Sequence, residues 1–190
     1  MDSRERIIRA AMELIQEKGE QVETITVRDI CKRADVGLGL VNYHFGSKEK
    51  LMEVCVERLI GGIVSRFRKI REETREASPF EKLLLLGNMT FEFLFSHAAV
   101  SRISVLTDMQ TPKPGDNTHR TCESYLPLVA ACRPDWDEGT VKRKTLCLIT
   151  TMQQAFLRQE AVSLMLGLDL SKPENRRAFH EQILHDILGG

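Results

Sequence analysis

The chain has 190 residues, of which 42% are hydrophobic, so it is long enough for one or two domains with a well-formed core. Its 27 basic and 27 acidic residues cancel, which excludes the strongly basic class of proteins that hold nucleic acid mainly by net charge. The five cysteines show no C-x-x-C spacing and predict reduced thiols in a cytoplasmic protein. No charge-free stretch is long enough to span a bilayer, and the charged start Met1–Arg6 does not predict a secretory signal. We therefore expect no membrane partner, no cofactor and no metal site.

The first predicted element is an amphipathic helix from Ser3 to Lys18. Its apolar residues recur at helical spacing, as expected for a helix with one face against a core. This stripe consists of Ile7, Ala11, Leu14 and Ile15. Gly19 follows the last charged residue and is expected to end the helix.

A second, shorter helix is predicted to start at Thr26, a good N-cap residue, with Asp29 three positions later completing a capping box. Its apolar face comprises Val27, Ile30, Cys31 and Ala34. A turn over residues 35–37 is expected next, in which Gly37 supplies permissive backbone dihedrals. Two short helices joined by such a turn are the arrangement that places a helix in the major groove of DNA.

The helix expected at 37–45 is the candidate recognition helix. Val36, Val41 and Phe45 can fix it to the preceding helix. The remaining positions are left to face DNA, namely Leu38, Gly39, Leu40, Asn42, Tyr43 and His44. An asparagine can pair with adenine, and leucines can contact thymine methyl groups.

The segment VNYHFGSKEKL at 41–51 resembles the end of the helix-turn-helix in the TetR family of bacterial repressors, and the resemblance covers residues 4–60. It implies that Thr26 and Arg28 approach DNA from the second helix, that Gly39 permits close backbone approach, and that Tyr43, His44 and Lys48 hold phosphates. The complete set of expected DNA-binding residues is Thr26, Arg28, Gly37, Leu38, Gly39, Leu40, Asn42, Tyr43, His44 and Lys48. The family often has polar residues where this chain has Gly37, Leu38 and Leu40, so its recognition helix is poor in base-reading groups.

The rest of the chain is predicted to be helical. Ser47 is expected to cap a fourth helix at about 48–75. The further helices are expected at about 79–97, 99–109, 117–132, 136–166 and 173–188, with a polar linker at 111–121. The predicted fold is therefore all-α, with an N-terminal three-helix DNA-binding domain (1–48) and a C-terminal helical bundle for ligand binding and dimerisation (49–190).

A ligand pocket in the helical bundle is expected to be apolar with a few polar groups. The candidates by residue type and neighbourhood are Met89, Phe91, Phe95, Met109, Trp136, Met152, Gln153 and Phe156. His97 and Asn88 could add polar contacts. For each of these residues, ordinary core packing is the competing interpretation.

The last two predicted helices carry apolar faces that could pair across a two-fold axis to form a four-helix interface, as the resemblance also implies. The expected interface residues are Leu146, Ile149, Phe179, Ile183 and Ile187. The alternative is that these faces pack only within one protomer.

No Ser-His-Asp, Cys-His or paired-carboxylate arrangement is present, so the sequence does not predict an enzyme. The predicted function is a homodimeric transcriptional repressor that binds a palindromic double-stranded operator and is released by a small-molecule effector. The alternative is a DNA-binding regulator or architectural protein that is controlled by a protein partner and has no small-molecule effector.

Overall fold

The computed structural model describes residues 2–58 and 76–189, and these ranges contain helices and no strand. The chain divides into two compact units, one with residues 2–58 and 97–104 and the other with residues 76–96 and 105–189. The helices are α1 (Ser3–Lys18), α2 (Val27–Ala34), α3 (Gly39–Phe45), α4 (48–58), α5 (Pro79–Ser96), α6 (Ala98–Gln110), α7 (Asn117–Cys132), α8 (Glu138–Leu157), α9 (Gln159–Leu166) and α10 (Pro173–Leu188). The continuation of α4 that we expected up to residue 75 lies outside the described residues.

Helix α1 has the predicted bounds because both of its ends are capped. The Asp2 side chain accepts a hydrogen bond from the backbone N–H of Arg4, and Gly19 takes a φ of 53° just after the last helical residue. That left-handed conformation is one that glycine adopts without steric cost.

Helix α2 also begins as predicted, with a complete capping box. The Thr26 hydroxyl oxygen accepts from the Asp29 N–H at 3.2 Å, and the Asp29 carboxylate accepts from the Thr26 N–H at 2.9 Å. The Thr26 hydroxyl also donates to the Asp29 carboxylate at 2.7 Å, and this bond, together with the one from the Thr26 N–H, lowers the pKa of the Asp29 carboxyl. The turn that follows differs from the expectation: the left-handed residue is Asp35, with a φ of 52°, and not Gly37. Aspartate tolerates this region because its side chain can hydrogen-bond locally.

The first unit has one apolar core, to which α1, α2, α3, α4 and the start of α6 contribute. In α4, Leu51 and Cys55 are fully buried in this core, and burial raises the pKa of the Cys55 thiol to about 12. In α6, Ala99 and Val100 belong to the same core. The expected boundary after residue 48 therefore falls too early, because the apolar face of α4 completes the first unit.

The second unit is built from α5, α7, α8, α9 and α10 together with the end of α6. Tyr125 of α7 is fully buried, and its hydroxyl donates a hydrogen bond of 2.7 Å to Thr90 of α5. His180 of α10 is also fully buried, and its Nδ1 lies 3.0 Å from the Asn88 carboxamide oxygen of α5. Asn88 is therefore engaged in helix packing.

The single helix predicted at 136–166 is wrong: it is broken at Arg158, which has φ −115° and ψ 33°. The backbone N–H of Arg158 still bonds to the Gln154 carbonyl, and that of Val162 bonds to the Arg158 carbonyl. The chain thus turns at one residue without a proline or glycine to mark the position.

In the described ranges, no single helix is long and apolar enough to cross a membrane. Helices α5 and α6 meet that test only when taken together, and they bend by 104° at the break that separates them.

Candidate DNA interface and cleft

Helix α3 has one buried and one exposed face, as its pattern predicted. Val41 is fully buried and Phe45 is 8% exposed, so these two side chains fix the helix to the core of the first unit. On the opposite face Tyr43 is 80% exposed and Leu38 is 54% exposed. Asn42 is exposed as well. The exposed face therefore presents apolar, amide and phenol groups on a backbone that the core holds in place.

Two expected DNA-binding side chains are partly used by the fold. Leu40 is half-buried and packs against the core, so only part of it is available to a thymine methyl group. His44 is also half-buried, and its Nε2 lies 2.8 Å from the Ser3 hydroxyl at the start of α1. These contacts position α3 relative to α1, an arrangement that the sequence did not predict.

Helix α2 precedes α3 in the sequence and α4 follows it. The starts of these two helices contribute the predicted polar residues. Thr26 and Arg28 are exposed, and Lys48 is half-buried. Arg33 forms two bonds of 2.7 Å with the Glu17 carboxylate, which lower the pKa of that carboxyl. One of the basic side chains of α2 is thus already paired with a carboxylate of α1.

Gly37 and Gly39 are exposed, and a Cβ added at either position would meet nothing within 4 Å. Neither glycine has a positive φ. The fold itself therefore does not require glycine at these positions. A close approach of another molecule to the backbone would be a reason to have glycine there.

The second unit contains a cleft of about 810 Å³ formed by α6, α7, α8 and the loop between α6 and α7. It is lined by Asp108, Met109, Pro112, Lys113, Pro114, Asp116, Thr118, His119, Cys122, Glu123, Leu126, Lys142, Leu146, Thr150 and Gln153. This volume lies in the range of about 300 to 1,000 Å³ that is typical of small-molecule sites.

A hydrogen-bonded chain of three side chains joins the helices around the cleft. Gln153 of α8 donates from Nε2 to the Thr118 hydroxyl of α7 at 2.9 Å. The Thr118 hydroxyl donates in turn to the Asp108 carboxylate of α6 at 2.8 Å, and the Thr118 backbone N–H donates to the same oxygen at 2.7 Å. Burial raises the pKa of the Asp108 carboxyl, and the bonds from Thr118 oppose that rise.

Of the eight predicted ligand-binding residues, Met109 and Gln153 line this cleft. Four others form the apolar interior where α5 and α8 pack, namely Phe91, Phe95, Met152 and Phe156. Phe91, Met152 and Phe156 are each almost completely buried, so ordinary helix packing accounts for their positions. Phe95 is half-buried, and its ring contacts both Phe91 and Phe156.

The last two predicted ligand residues lie elsewhere. Met89 is half-buried on α5 and does not line the cleft. The Trp136 ring is covered by two cations, with the Arg133 guanidinium 4.4 Å and the Lys144 ammonium 5.6 Å from its centroid. Trp136 is thus held by its neighbours before α8 begins.

The predicted dimer-interface residues differ in burial. Ile149 and Ile183 are buried within the protomer, so placing them at an interface is wrong. Leu146 is half-exposed and lines the cleft. Phe179 and Ile187 are half-buried, and the centroid of the Phe179 ring lies 5.9 Å from that of Phe91. Most of these apolar faces are used in packing α5, α8 and α10 together.

Sequence reasoning missed Asp108 and Thr118. A detectable feature was present, because Asp108 is the sole carboxylate in the otherwise mostly apolar α6 segment AAVSRISVLTDMQ. An isolated charge on an apolar helix is typically either paired or functional. The partner on α7 could not be predicted without the packing of the two helices.

Comparison with known proteins finds a matching family model for the N-terminal residues and a set of similar folds. Residues 7–55 match the model of a family described as bacterial regulatory proteins of the tetR family. The chain is 30% identical over 93 residues to the transcriptional repressor KstR2 of Mycobacterium tuberculosis, a match that covers 49% of this chain and 44% of that protein. It is 23% identical over 195 residues to YttP of Bacillus subtilis, a probable transcriptional regulator, covering 96% of this chain and 91% of that one. The match to the first of these relatives thus spans less than half of its length.

Two solved structures share the fold over nearly the whole chain. A transcriptional regulator from Rhodococcus sp. RHA1 has a TM-score of 0.72 at 19% identity, covering 100% of this chain and 97% of that one. The regulator FadR from Bacillus subtilis, solved in complex with stearoyl-CoA, has a TM-score of 0.58 at 20% identity, with 97% of each chain covered. At these identities the likeness concerns the fold.

Proposed function

Because residues 7–55 match the TetR family of bacterial regulatory proteins, we propose that this chain is a cytoplasmic transcriptional repressor that binds a palindromic DNA operator as a homodimer and is released by a small-molecule effector. The observation that carries the proposal is the exposed face of α3. Leu38, Asn42 and Tyr43 project from a helix whose other face is fixed by Val41 and Phe45.

Each group on that face has a role in the proposal. Asn42 pairs with an adenine edge, Leu38 contacts a thymine methyl group, and the Tyr43 hydroxyl bonds to a phosphate. Arg28 and Lys48 supply further phosphate contacts. Gly39 permits the backbone of α3 to approach the groove, since no neighbouring atom of the protein requires a glycine there.

Dimerisation follows from the short recognition surface. One seven-residue helix reads only a few base pairs, and the net charge of the chain is zero, so non-specific attraction adds little. Two protomers would place their α3 helices about 34 Å apart, one turn of DNA, and would read a palindrome.

The cleft supports the effector part of the proposal. Its size suits a small molecule, and its wall includes Asp108 and Met109 at the end of α6. The start of the same helix contributes Ala99 and Val100 to the core of the first unit. A ligand that moves α6 would therefore act on the unit that carries α3. The coupling is reciprocal, so that operator weakens ligand binding by the same factor. The regulator FadR, which has a similar fold, was solved in complex with stearoyl-CoA.

The proposal is tested by capture of fragments from the genome that encodes the chain. The purified protein should enrich a small set of fragments, and the double variant Asn42→Ala/Tyr43→Ala should lose that enrichment while keeping its melting temperature, since both side chains are exposed. Lys172→Ala, an exposed change in the second unit, is the matched control and should enrich the same fragments. Equal enrichment by the double variant, or none by the wild type, would contradict the proposal.

A further inference from the structure

The charged groups of the cleft differ in depth, and the deepest one is negative. Asp108 is 9% exposed, whereas Lys113, His119 and Lys142 are exposed at the rim. The Lys142 ammonium is 2.5 Å from Glu138, and the His119 Nε2 is 3.3 Å from Glu123. Charge acts most strongly where water is partly excluded, so Asp108 dominates the recognition of a bound molecule.

The groups that hold Asp108 are neutral donors. Both described bonds to Oδ2 come from Thr118, and the backbone N–H of Asn117 also acts on the carboxyl. The neighbouring charge that affects its pKa is Asp116, which is also negative. The Thr118 hydroxyl already donates its proton to Asp108, so it has none to donate to a ligand. The Asp108 carboxylate, held in place by these bonds, is therefore the group on this side of the cleft that accepts from a ligand donor.

The remaining wall is largely apolar. Met109 of α6, Leu126 of α7 and Leu146 of α8 line it together with the loop prolines Pro112 and Pro114. Leu146 and Met109 are each about half exposed, an unusual state for large apolar side chains, which a bound apolar body would cover. The site thus combines a buried carboxylate with a largely apolar wall and a charged rim.

We propose that the cleft binds a small lipophilic cation, with the positive group of the ligand on the Asp108 carboxylate and its apolar body against Met109, Leu126 and Leu146. This inference names the ligand class of the effector site in the proposed repressor and rests on that function. It excludes ligands with a phosphate or carboxylate head at this end, because Asp108 and Asp116 would repel them.

A ligand of this class would also act on the three-helix junction. A cation on Asp108 competes for the carboxylate that Thr118 now occupies and so changes the bond that joins α6 to α7. Gln153 extends the effect to α8 through the same hydroxyl. Asp108 would then both recognise the cation and transmit its binding to α7 and α8.

The test uses three dyes with the full chain and no DNA: rhodamine 6G as a lipophilic cation, Nile red as a neutral dye and 8-anilinonaphthalene-1-sulfonate as an anion. Fluorescence titration should show that rhodamine 6G binds at least about tenfold more tightly than the anion. Asp108→Asn keeps the shape of the side chain and should weaken rhodamine 6G about tenfold or more, as expected for loss of a charge-assisted contact, with Nile red changed by less than about twofold. Glu181→Gln, which removes an exposed carboxylate on α10, is the control and should change neither dye.

A second variant covers the case in which Asp108→Asn does not fold. Thr150→Lys adds a cation to the cleft wall on α8 without touching the Asp108 bonds, and it should weaken rhodamine 6G but not Nile red. Tighter binding of the anion, an equal loss of cation and neutral dye in both variants, or no binding of rhodamine 6G would each overturn the proposal. Failure of the dye test leaves the DNA proposal intact, whereas a chain that binds the cation and enriches no genomic DNA contradicts only the repressor function.

Discussion

A Cβ built on Gly87 of α5 would lie 2.0 Å from Nε2 and Cε1 of the His180 ring on α10. That distance is far inside van der Waals contact, and the ring is fully buried and held on its other nitrogen by Asn88. Helices α5 and α10 can therefore approach this closely only because residue 87 has no side chain.

The first prediction is that Gly87→Ala destabilises the protein by about 1 to 3 kcal/mol, the usual cost of overpacking a core. The free energy of unfolding from urea titration measures the change. Gly39→Ala is the matched control: its Cβ meets nothing within 4 Å, so stability should be unchanged or slightly higher while operator affinity falls. A stable Gly87→Ala protein would show that the ring moves aside at little cost.

The second prediction concerns pH. Burial lowers the pKa of His180 to about 4 from its usual 6.5, so the folded state keeps the ring neutral while the unfolded chain takes up a proton. Because the unfolded state binds more protons in this window, stability should fall as pH drops from about 6.5 to about 4, by up to about 3 kcal/mol. His180→Gln should remove this part of the pH dependence. Parallel stability profiles of wild type and variant between pH 7 and 5 would count against the assignment.

The third prediction compares the two partners of a partly buried ion pair. Arg176 donates to Glu92 at 2.6 Å and also to the carbonyl oxygens of Leu170 and Ser171 at 3.0 and 2.8 Å. Arg176→Met leaves those carbonyls without their donor and should cost about 2 to 4 kcal/mol. Glu92→Gln keeps an acceptor on a half-exposed side chain and should cost less. Urea denaturation of both variants gives the order, and a reversed order would contradict it.

The fourth prediction concerns the two proposed phosphate contacts, Lys48 and Tyr43. Lys48→Ala should weaken binding to all duplexes and reduce the slope of log affinity against log salt by about 0.9, as for the loss of one phosphate contact. Tyr43→Ala should also weaken all sequences, with no loss of stability because the ring is exposed. Fluorescence anisotropy over a salt series measures both effects. A Lys48→Ala protein with an unchanged slope would remove Lys48 from the phosphate contacts.

The sequence predicted most of the helices because their ends are marked by local chemistry. Thr26 and Asp29 form the expected capping box, and Gly19 ends α1. Val41 and Phe45 occupy the buried face of α3 as helical spacing required. These features depend on residues a few positions apart, so a linear sequence contains them.

The features that were missed depend on distant residues. The break at Arg158 has no glycine or proline beside it, and Asp108 meets Thr118 only when α6 packs on α7. Ile149 and Ile183 carry helical spacing that suits either a dimer face or a core, and only the packed structure shows that they are buried. Periodicity identifies an apolar face but not what covers it.

Selection of bound sequences from a random duplex library with the purified full chain shows directly whether α3 is the recognition helix of a homodimer. We expect a palindromic consensus whose half-sites lie about one DNA turn apart and contain A·T pairs at the position read by Asn42, and Asn42→Ala should relax the preference there. An asymmetric consensus, half-sites without A·T pairs, or no enrichment at all would contradict the assignment of α3 as the recognition helix of a homodimer.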